Sequence, residues 1–342
     1  MAKTPRILVF RFSALGDVAM IVPVFRALFQ KYPNLQLVLV SRSFVQPLFQ
    51  EFEQVKFIAM EPQQLKGFVG LYRFFKQLRQ LQPEAIADLH GVLRTHVLNF
   101  FFRVTGMRVQ QIRKGRAEKK QLTRPKKKRW VPLEHTVYRY ADVFFRLGFP
   151  VEIPTEQQRL NRPLPEHLPE SLQLSKTPWV GIAPFASFPG KRYPLDAMQK
   201  VIAYLSQKHF VLLFGAGTEE LSQMAVWAQA YPNVFNICKE LDFRQQLDLI
   251  SHLDLMIAMD SANGHFAANA GVQVLTLWGL THPFAGFAPF GSGHENLGVD
   301  REQYPQVPTS VYGHKMPQGY EKAFRSLPPE AVLEKALEMI AR

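Results

Sequence analysis

Cysteine and long apolar runs are nearly absent from this sequence. Cys238 is the single cysteine among 342 residues, so an internal disulfide is excluded and a reducing compartment, the cytoplasm, is expected. No uninterrupted apolar stretch approaches the roughly 20 residues that a helix needs to cross a bilayer. Near the amino terminus, Arg11 and Asp17 interrupt the apolar residues, which favours a strand followed by a helix over a signal peptide. We therefore expect a cytoplasmic protein that spans no membrane.

Recurring motifs of metal and nucleophile chemistry are missing as well. The ten histidines form no HExxH motif, a CxxC pair cannot exist, and no Asp-x-Asp pair occurs. The Gly-x-Ser-x-Gly turn that presents a serine nucleophile is also absent. The sequence therefore predicts chemistry without a tightly bound metal ion.

Acidic residues are scarce in the first half of the chain. Residues 1–150 hold 26 lysines and arginines against 9 acidic residues, a net charge of +17, whereas residues 151–342 carry −4. Much of the excess lies in residues 113–129, which have ten basic residues and one acidic residue. Such a run is either a solvated, partly mobile loop or a docking patch for phosphates on a lipid surface or a nucleic acid. Composition alone does not distinguish these alternatives.

Apolar, strand-like runs alternate with amphipathic helical segments in both halves of the chain. The first series places strands at about residues 6–12, 35–42, 55–60 and 84–91. The second places them at about residues 178–183, 209–215, 233–237, 253–259 and 272–279. Helical periodicity is found at about residues 18–31, 72–82, 194–207, 218–230, 243–252 and 262–271, and HTVYRYADVFFRLGFP, residues 135–150, is predicted to be a helix that ends at Gly148 and Pro150. Because such alternation gives parallel sheets covered by helices on both faces, the predicted fold class is α/β with two doubly wound domains.

A proline-rich stretch, residues 151–178, separates the two series and is the predicted linker. Residues 1–160 are therefore assigned to a first domain and residues 175–325 to a second. Residues 326–342 are predicted to form a terminal helix that packs back on the first domain. Two such domains are expected to leave a cleft between the carboxyl ends of their sheets, where α/β proteins bind ligands.

One carboxylate stands out in the stretch FRFSALGDVAMIVPVF, residues 10–25. Asp17 follows a glycine at the junction of the first predicted strand and helix. From the residues alone, three roles are open to it, namely helix cap, cofactor ligand and general base.

Asp260 to Gly271, DSANGHFAANAG, follows a predicted strand and opens a predicted helix. Its short polar side chains and free backbone N–H groups lie at the positive end of a helix dipole, which favours a phosphate. The alternative is that Asp260 and Ser261 are ordinary helix caps and that His265 packs on the helix.

Two glycine-bearing loops supply further candidates. In FASFPGKRYP, residues 185–194, Lys191 is placed to neutralise a diphosphate and Ser187 to hydrogen-bond it, unless the lysine simply faces solvent. In FGAGTEE, residues 214–220, Glu219 is either a favourable residue for the first turn of a helix or a carboxylate that binds ribose hydroxyls. The glycine spacing in neither loop completes a Walker or dinucleotide motif.

Taken together, these segments resemble the heptosyltransferases of glycosyltransferase family 9, which build the inner core of lipopolysaccharide. The resemblance rests on RFSALGDVAMIVPVFRAL, ADLHGVLRT, PFASFPGKRYP, LLFGAGTEE and above all DLISHLDLMIAMDSANGHFAANAGVQVLTLWGLTHP, which occur in order over nearly the whole chain. It implies the GT-B architecture, in which two Rossmann-like domains face each other across a cleft. The acceptor is expected on the first domain and the sugar nucleotide mainly on the second.

The resemblance also implies roles for individual residues. Asp17 matches a catalytic base, and Lys191 matches the lysine that meets the donor phosphates. The positions around the donor nucleotide and sugar are Ser187, Asp260, Ser261, Ala262 and His265, with Glu219 a looser match to a ribose-binding carboxylate. The typical donor is ADP-heptose, and the typical acceptor is a phosphorylated lipid A that bears Kdo.

The implied reaction is an inverting sugar transfer that needs no cofactor beyond the nucleotide sugar and no metal ion. The basic first half then has a use, because the acceptor is an anionic glycolipid at the cytoplasmic face of the inner membrane. Its predicted ligands are His90, Arg94, Arg113, Lys114 and Arg116. The alternatives are another GT-B enzyme with a different nucleotide sugar, either a transferase or an epimerase, and a basic nucleic-acid-binding protein. Against the latter, the basic run at residues 113–129 has no interleaved aromatic residues.

Overall fold

The computed structural model describes residues 5–166, 168–169, 172 and 177–342, which form two compact units. Unit 1 comprises Met1–Lys114 and His135–Pro154, and unit 2 comprises Gly115–Glu134 and Thr155–Arg342. The predicted start of the second domain, residue 175, and part of the predicted linker lie outside the described residues.

Unit 1 is built around a five-stranded parallel sheet with the strand order β3-β2-β1-β4-β5. Its strands are β1 (Arg6–Phe10), β2 (Gln36–Ser41), β3 (Val55–Ala59), β4 (Ala85–Asp88) and β5 (Arg108–Gln111). Its helices are α1 (Leu15–Ala19), α2 (Val22–Lys31), α3 (Gly67–Arg79), α4 (Leu93–Val104) and α6 (Thr136–Arg146). The central strands are continuous apolar runs because helices cover the sheet, and Phe10 and Phe102 are fully buried.

Unit 2 is a second parallel sheet, with six strands in the order β11-β10-β9-β6-β7-β8. The strands are β6 (Trp179–Ala183), β7 (Phe210–Leu213), β8 (Val234–Asn236), β9 (Leu255–Met259), β10 (Gln273–Trp278) and β11 (Glu295–Gly298). The helices are α5 (Arg116–Thr123), α7 (Leu195–Leu205), α8 (Thr218–Ala230), α9 (Phe243–Ile250), α10 (Ala262–Asn269) and α11 (Pro329–Ile340). The α/β class and the two doubly wound sheets predicted from the sequence are confirmed.

The terminal helix belongs to unit 2. Helix α11 packs on α7, β9 and β10, all in unit 2. Val332, Ala336 and Met339 are buried in the same apolar cluster as the strands of the second sheet. The apolar stripe of α11 therefore completes the core of unit 2, and packing of this helix on the first domain stays a prediction.

The basic segment also belongs to unit 2, although it was assigned to the first domain. The Trp130 ring packs on Phe284 at 4.7 Å between centroids, and the Arg301 guanidinium lies 3.3 Å from the centre of the same ring. The Lys128 ammonium donates to the carbonyl of Pro308 at 2.7 Å. These aromatic, cation–π and hydrogen-bond contacts fasten residues 115–134 to unit 2.

The first predicted helix is divided in two. A single helix was expected at residues 18–31, but α1 ends at Ala19 and α2 begins at Val22. Pro23 lies in the first turn of α2, where its missing N–H costs no hydrogen bond. Strands β5 and β11 and helix α5 were not predicted, because short polar edge strands and a basic helix have weak periodicity. Helix α4, which is more apolar, was also missed.

Candidate active site

Asp17 lies in the loop region that follows β1, in the first turn of α1. Its Oδ2 accepts a hydrogen bond from the Ala14 N–H at 3.4 Å and is 2.7 Å from an Arg11 guanidinium nitrogen. Oδ1 has no partner among the described residues, and the side chain is 19% exposed. Ala14, not Asp17, is the N-cap residue, and the Asp17 carboxylate bonds back to it from the third position of the helix.

Helix α6, which is distant from Asp17 in the sequence, contacts the turn that carries Asp17. The Tyr140 hydroxyl donates to the Asp17 carbonyl at 3.1 Å, and the Arg11 guanidinium lies 5.7 Å from the centre of the Tyr140 ring. Arg11 also donates to the Leu89 carbonyl at 2.8 Å. Neither Arg11 nor Tyr140 was given a role from the sequence. Arg11 opens one of the segments on which the family resemblance rests, and Tyr140 lies outside those segments, but the role of each depends on tertiary contacts.

His90 lies at the same edge of the first sheet as Asp17. Phe10 of β1 pairs with Asp88 of β4, so the two parallel strands end side by side and their loops emerge together. The Phe12 N–H donates to His90 Nδ1 at 3.4 Å. Burial, together with the nearby charges of Arg11, Lys114, Arg42 and Arg94, lowers the pKa of His90 to about 3. His90 is therefore a neutral hydrogen-bonding group at physiological pH.

The same charges show that several predicted acceptor ligands converge in unit 1. Arg94 and Lys114 act on His90 together with Arg42, which the sequence analysis did not identify. The backbone carbonyl of Arg113 accepts a hydrogen bond from the Arg139 guanidinium at 3.0 Å. Arg116, the first residue of α5, lies in unit 2, so the predicted set is divided between the two units.

A buried carboxylate holds the His90 loop in place. Asp88 is fully buried and accepts hydrogen bonds from the N–H groups of His90 and Gly91, each at 2.9 Å, and from the Asn99 amide at 2.7 Å. A strand that ends in Asp and is followed by His-Gly was the available signal, but the sequence does not show that Asn99 faces the same carboxylate.

In unit 2, Lys191 and Asp260 form an ion pair at the carboxyl edge of the sheet. The Lys191 ammonium lies 2.7 Å from Asp260 Oδ2, and the two side chains are only 14% and 8% exposed. Ala183 of β6 pairs with Ala258 of β9, so the loops that carry the two residues begin next to each other. The lysine is therefore held in the fold and is not a solvent-facing residue of a turn.

The N-terminus of α10 adjoins this ion pair. Ser261 is the N-cap residue and Ala262 begins the helix, while His265 is buried in its second turn. The Ser261 side chain caps nothing, and its shielded Oγ has no hydrogen-bond partner among the described residues. The first-turn N–H groups, which a helix cannot satisfy itself, thus stand beside a lysine and an unused hydroxyl.

The remaining predicted donor residues lie on neighbouring loops of unit 2. Ser187 and Glu219 are exposed, and neither side chain makes a hydrogen bond within the described part of the chain. Glu220 instead turns back, and its carboxylate accepts from the Ala216 N–H at 2.9 Å.

Gly313, which the sequence analysis missed, packs against the stem of Lys191. A Cβ added at residue 313 would lie 2.6 Å from Lys191 Cγ, and the backbone φ there is +76°. The Ser310 hydroxyl accepts from the Gly313 N–H at 3.0 Å and fixes this turn. Only a glycine allows both the turn and the close approach.

We expect Gly313→Ala to displace Lys191 by about 1 Å, because carbon atoms need about 3.5 Å of separation. Such a shift should lower the kcat/KM of a reaction that uses Lys191 by about 10²-fold. Gly319→Ala is the matched control, because φ there is +82° and nothing lies within 4 Å of the added Cβ. Both variants carry the same backbone strain, so equal losses of activity would show that the contact with Lys191 is irrelevant.

The comparisons with known proteins give one consistent result. The family model described as Glycosyltransferase family 9 (heptosyltransferase) matches residues 71–315, well over half of the chain. The chain belongs to this family. A similar curated relative is the lipooligosaccharide heptosyltransferase 2 of Haemophilus influenzae, 26% identical over 354 residues that cover 98% of this chain and 99% of the relative. The family resemblance stated from the sequence is confirmed, and the family 9 chain is a glycosyltransferase.

Solved structures agree on the fold of this family 9 chain. The glycosyltransferase family 9 protein of Veillonella parvula has a TM-score of 0.76 at 17% identity and covers 100% of this chain and 98% of its own. The Escherichia coli ADP-heptose lps heptosyltransferase II has a TM-score of 0.70 at 17% identity and covers 98% of each chain. The predicted GT-B fold is thereby confirmed. Across the described residues of the family 9 chain, no helix is both long and apolar enough to cross a bilayer.

Proposed function

We propose that this family 9 glycosyltransferase moves heptose from ADP-heptose to an anionic inner-core lipopolysaccharide acceptor, with inversion at the anomeric carbon. The observation that carries the proposal is the start of α10, where Lys191, Ser261 and free helix N–H groups offer one seat for a diphosphate. The names of its relatives support the sugar, since the matched Haemophilus influenzae protein is a lipooligosaccharide heptosyltransferase.

In this proposal Asp17 is the general base. Inversion requires an acceptor hydroxyl to attack the anomeric carbon while the nucleoside diphosphate leaves from the opposite face. The hydroxyl proton passes to Asp17 Oδ1, the oxygen without a partner among the described residues. Arg11 and the Ala14 N–H hold the other oxygen, so the carboxylate keeps its orientation through the reaction.

The donor diphosphate binds to unit 2. Lys191 and the first-turn N–H groups of α10 place positive charge where the leaving group gains negative charge, which lowers the barrier by preorganised electrostatics. Asp260 orients the lysine, and Ser187, Ser261, Ala262 and His265 line the nucleotide and sugar. Glu219 binds the ribose hydroxyls. These groups supply the charge stabilisation that a metal ion would otherwise provide, and we propose that none is required.

The acceptor binds to unit 1 through its phosphates and carboxylates. His90 donates or accepts as a neutral imidazole, and the cations grouped around it are Arg42, Arg94 and Lys114. Arg113 extends this basic region along the chain, and Arg116, which lies in unit 2, is a further proposed acceptor ligand. An acceptor anchored in lipid places the enzyme at the cytoplasmic face of the inner membrane.

Thermal stabilisation by nucleotides tests the donor assignment. A ligand that binds only the native state at 100 times its Kd raises the free energy of unfolding by about 2.7 kcal/mol. We expect ADP to raise the Tm more than UDP, GDP or CMP at equal concentration. A larger shift with UDP, GDP or CMP would assign a different nucleotide sugar, and transfer that EDTA abolishes would overturn the metal-independent mechanism.

A further inference from the structure

Helices α3 and α4 carry an exposed apolar surface in unit 1. The side chains of Phe68 and Phe100 are 65% and 60% exposed, and that of Val104 is 71% exposed. The Phe101 ring joins the two helices, with its centroid 5.2 Å from that of Phe68, 5.5 Å from that of Tyr72 and 6.1 Å from that of Phe100. We call this surface the α3–α4 patch. Its exposed members are Phe68, Val69, Tyr72, Phe100 and Val104, which lie around the buried Phe101 ring.

Basic side chains, and no acidic ones, accompany the patch on its own elements. Neither residues 62–83 nor residues 89–117 contain an aspartate or glutamate. The Lys76 ammonium lies 5.2 Å from the centre of the Tyr72 ring, which makes the basic and aromatic surfaces continuous. The exposed cations on or next to the two helices are Lys66, Arg73, Lys76, Arg79, Arg94 and Arg103.

A cavity of about 330 Å³ adjoins the patch on α3. Lys66 and Arg73 line it together with the amides of Gln63, Gln64 and Gln77, and Val69 is shared between the cavity and the patch. Two cations and several amide donors suit a phosphate oxygen cluster, which an arginine can bind through two parallel hydrogen bonds.

We propose that the α3–α4 patch docks on an anionic bilayer, with a lipid phosphate held by Lys66 and Arg73. The rings and valines enter the boundary between headgroups and acyl chains, while the lysines and arginines reach out to the phosphates. Scattered apolar residues need no explanation, but a contiguous apolar patch with a polar rim marks an interaction surface.

Charge complementarity selects a bilayer over the other possible occupants. In a twofold dimer the same cations would meet each other across the interface, which is repulsive. Single-stranded nucleic acid stacks on aromatic rings, but Val69 and Val104 offer it no stacking surface. This proposal depends on the proposed function in one respect only. A lipid-borne acceptor explains why the enzyme would need to bind a membrane surface.

Flotation with vesicles tests the docking without any turnover. Wild-type protein is expected to float with vesicles of phosphatidylcholine and phosphatidylglycerol, and to remain unbound with phosphatidylcholine alone. The Phe68→Ser/Phe100→Ser and Lys66→Gln/Arg73→Gln variants should each lose binding by about tenfold or more, since they remove the apolar and the electrostatic contributions respectively. Raising the salt concentration should weaken wild-type binding.

Matched controls come from exposed residues outside the patch. Phe145→Ser removes a phenylalanine of α6 that is 61% exposed, and Lys200→Gln/Lys208→Gln removes two exposed lysines of unit 2. Both controls should float as the wild type does. Equal flotation of patch and control variants, or wild-type binding that ignores anionic lipid, would overturn the docking. So would a dimer, seen by sedimentation, that only the patch variants lose. Because neither donor nor acceptor is present, a failure here leaves the proposed transfer reaction untouched, and a lack of transfer leaves the docking result standing.

Discussion

Asp17→Asn is expected to lower kcat for sugar transfer by about 10²–10⁴-fold, the usual contribution of a general base. The asparagine amide keeps the shape of the side chain but cannot take the acceptor proton. The proposed nucleotide ligands all lie in unit 2, so the Tm shift produced by ADP should equal that of the wild type. Steady-state kinetics and thermal shift measured on the same preparation separate the two properties.

Asp142→Asn provides the matched control for Asp17. Asp142 is also a carboxylate of unit 1 that pairs with an arginine, Arg146, at 2.9 Å, but nothing places it near the proposed chemistry. If removing an arginine-paired carboxylate merely loosened unit 1, both variants would lose activity alike. Undiminished turnover in Asp17→Asn would exclude the residue as the base and leave it the structural role of holding the start of α1.

Lys191→Met is expected to cost about 3–5 kcal/mol of stability, because it leaves the mostly buried Asp260 carboxylate without its partner. Transfer should also fall, by about 10²–10³-fold, since one preorganised charge on the leaving diphosphate is lost. Chemical denaturation measures the first effect, and kcat at saturating donor measures the second.

The double variant Lys191→Met/Asp260→Asn separates stability from chemistry. With no charge left to bury, most of the lost stability should return, whereas transfer should stay low. Arg325→Met is the control for a pair in the same unit, because the Arg325–Asp196 bridge is exposed to solvent and its loss should change stability little. If transfer recovers together with stability in the double variant, Lys191 does not act on the donor.

The residues of the candidate site were predicted unevenly. Lys191, Asp260, Ser261 and Ala262 come together because short loops connect neighbouring strands to helices, which places them at one edge of the second sheet. Arg42, Tyr140 and Gly313 were missed, since each contributes through a contact with a residue distant in sequence, and Arg11 was given no role although it opens one of the quoted segments. Local patterns carry no information about such contacts, and the roles of all these residues in catalysis stay predictions.

For the basic segment, residues 113–129, the sequence likewise predicted some properties, and the tertiary structure decided others. Its charge was visible in the composition, and a phosphate-binding surface was one of the expected uses. However, the Lys128 ammonium is committed to the carbonyls of Leu122 and Pro308, and burial beside Arg301 lowers its pKa to about 8. Arg124, Lys126, Lys127 and Arg129 of the same segment are exposed, so its use as a phosphate-binding surface stays a prediction. Exposure decides which charges are available to a partner, and exposure is a property of the fold.

The sequence by itself determined the α/β class, the two parallel sheets, the family and the loops that carry the candidate chemistry. Alternation of apolar runs and glycine-bearing turns is a local signal, and parallel sheets follow from it. Only the tertiary structure decided that α11 and residues 115–134 join unit 2, that Gly313 abuts Lys191 and that Asp17 keeps one oxygen unpaired within the described residues. These features depend on which apolar faces and polar groups meet across long separations in the chain, because burial and hydrogen bonding are settled only when the whole core is packed.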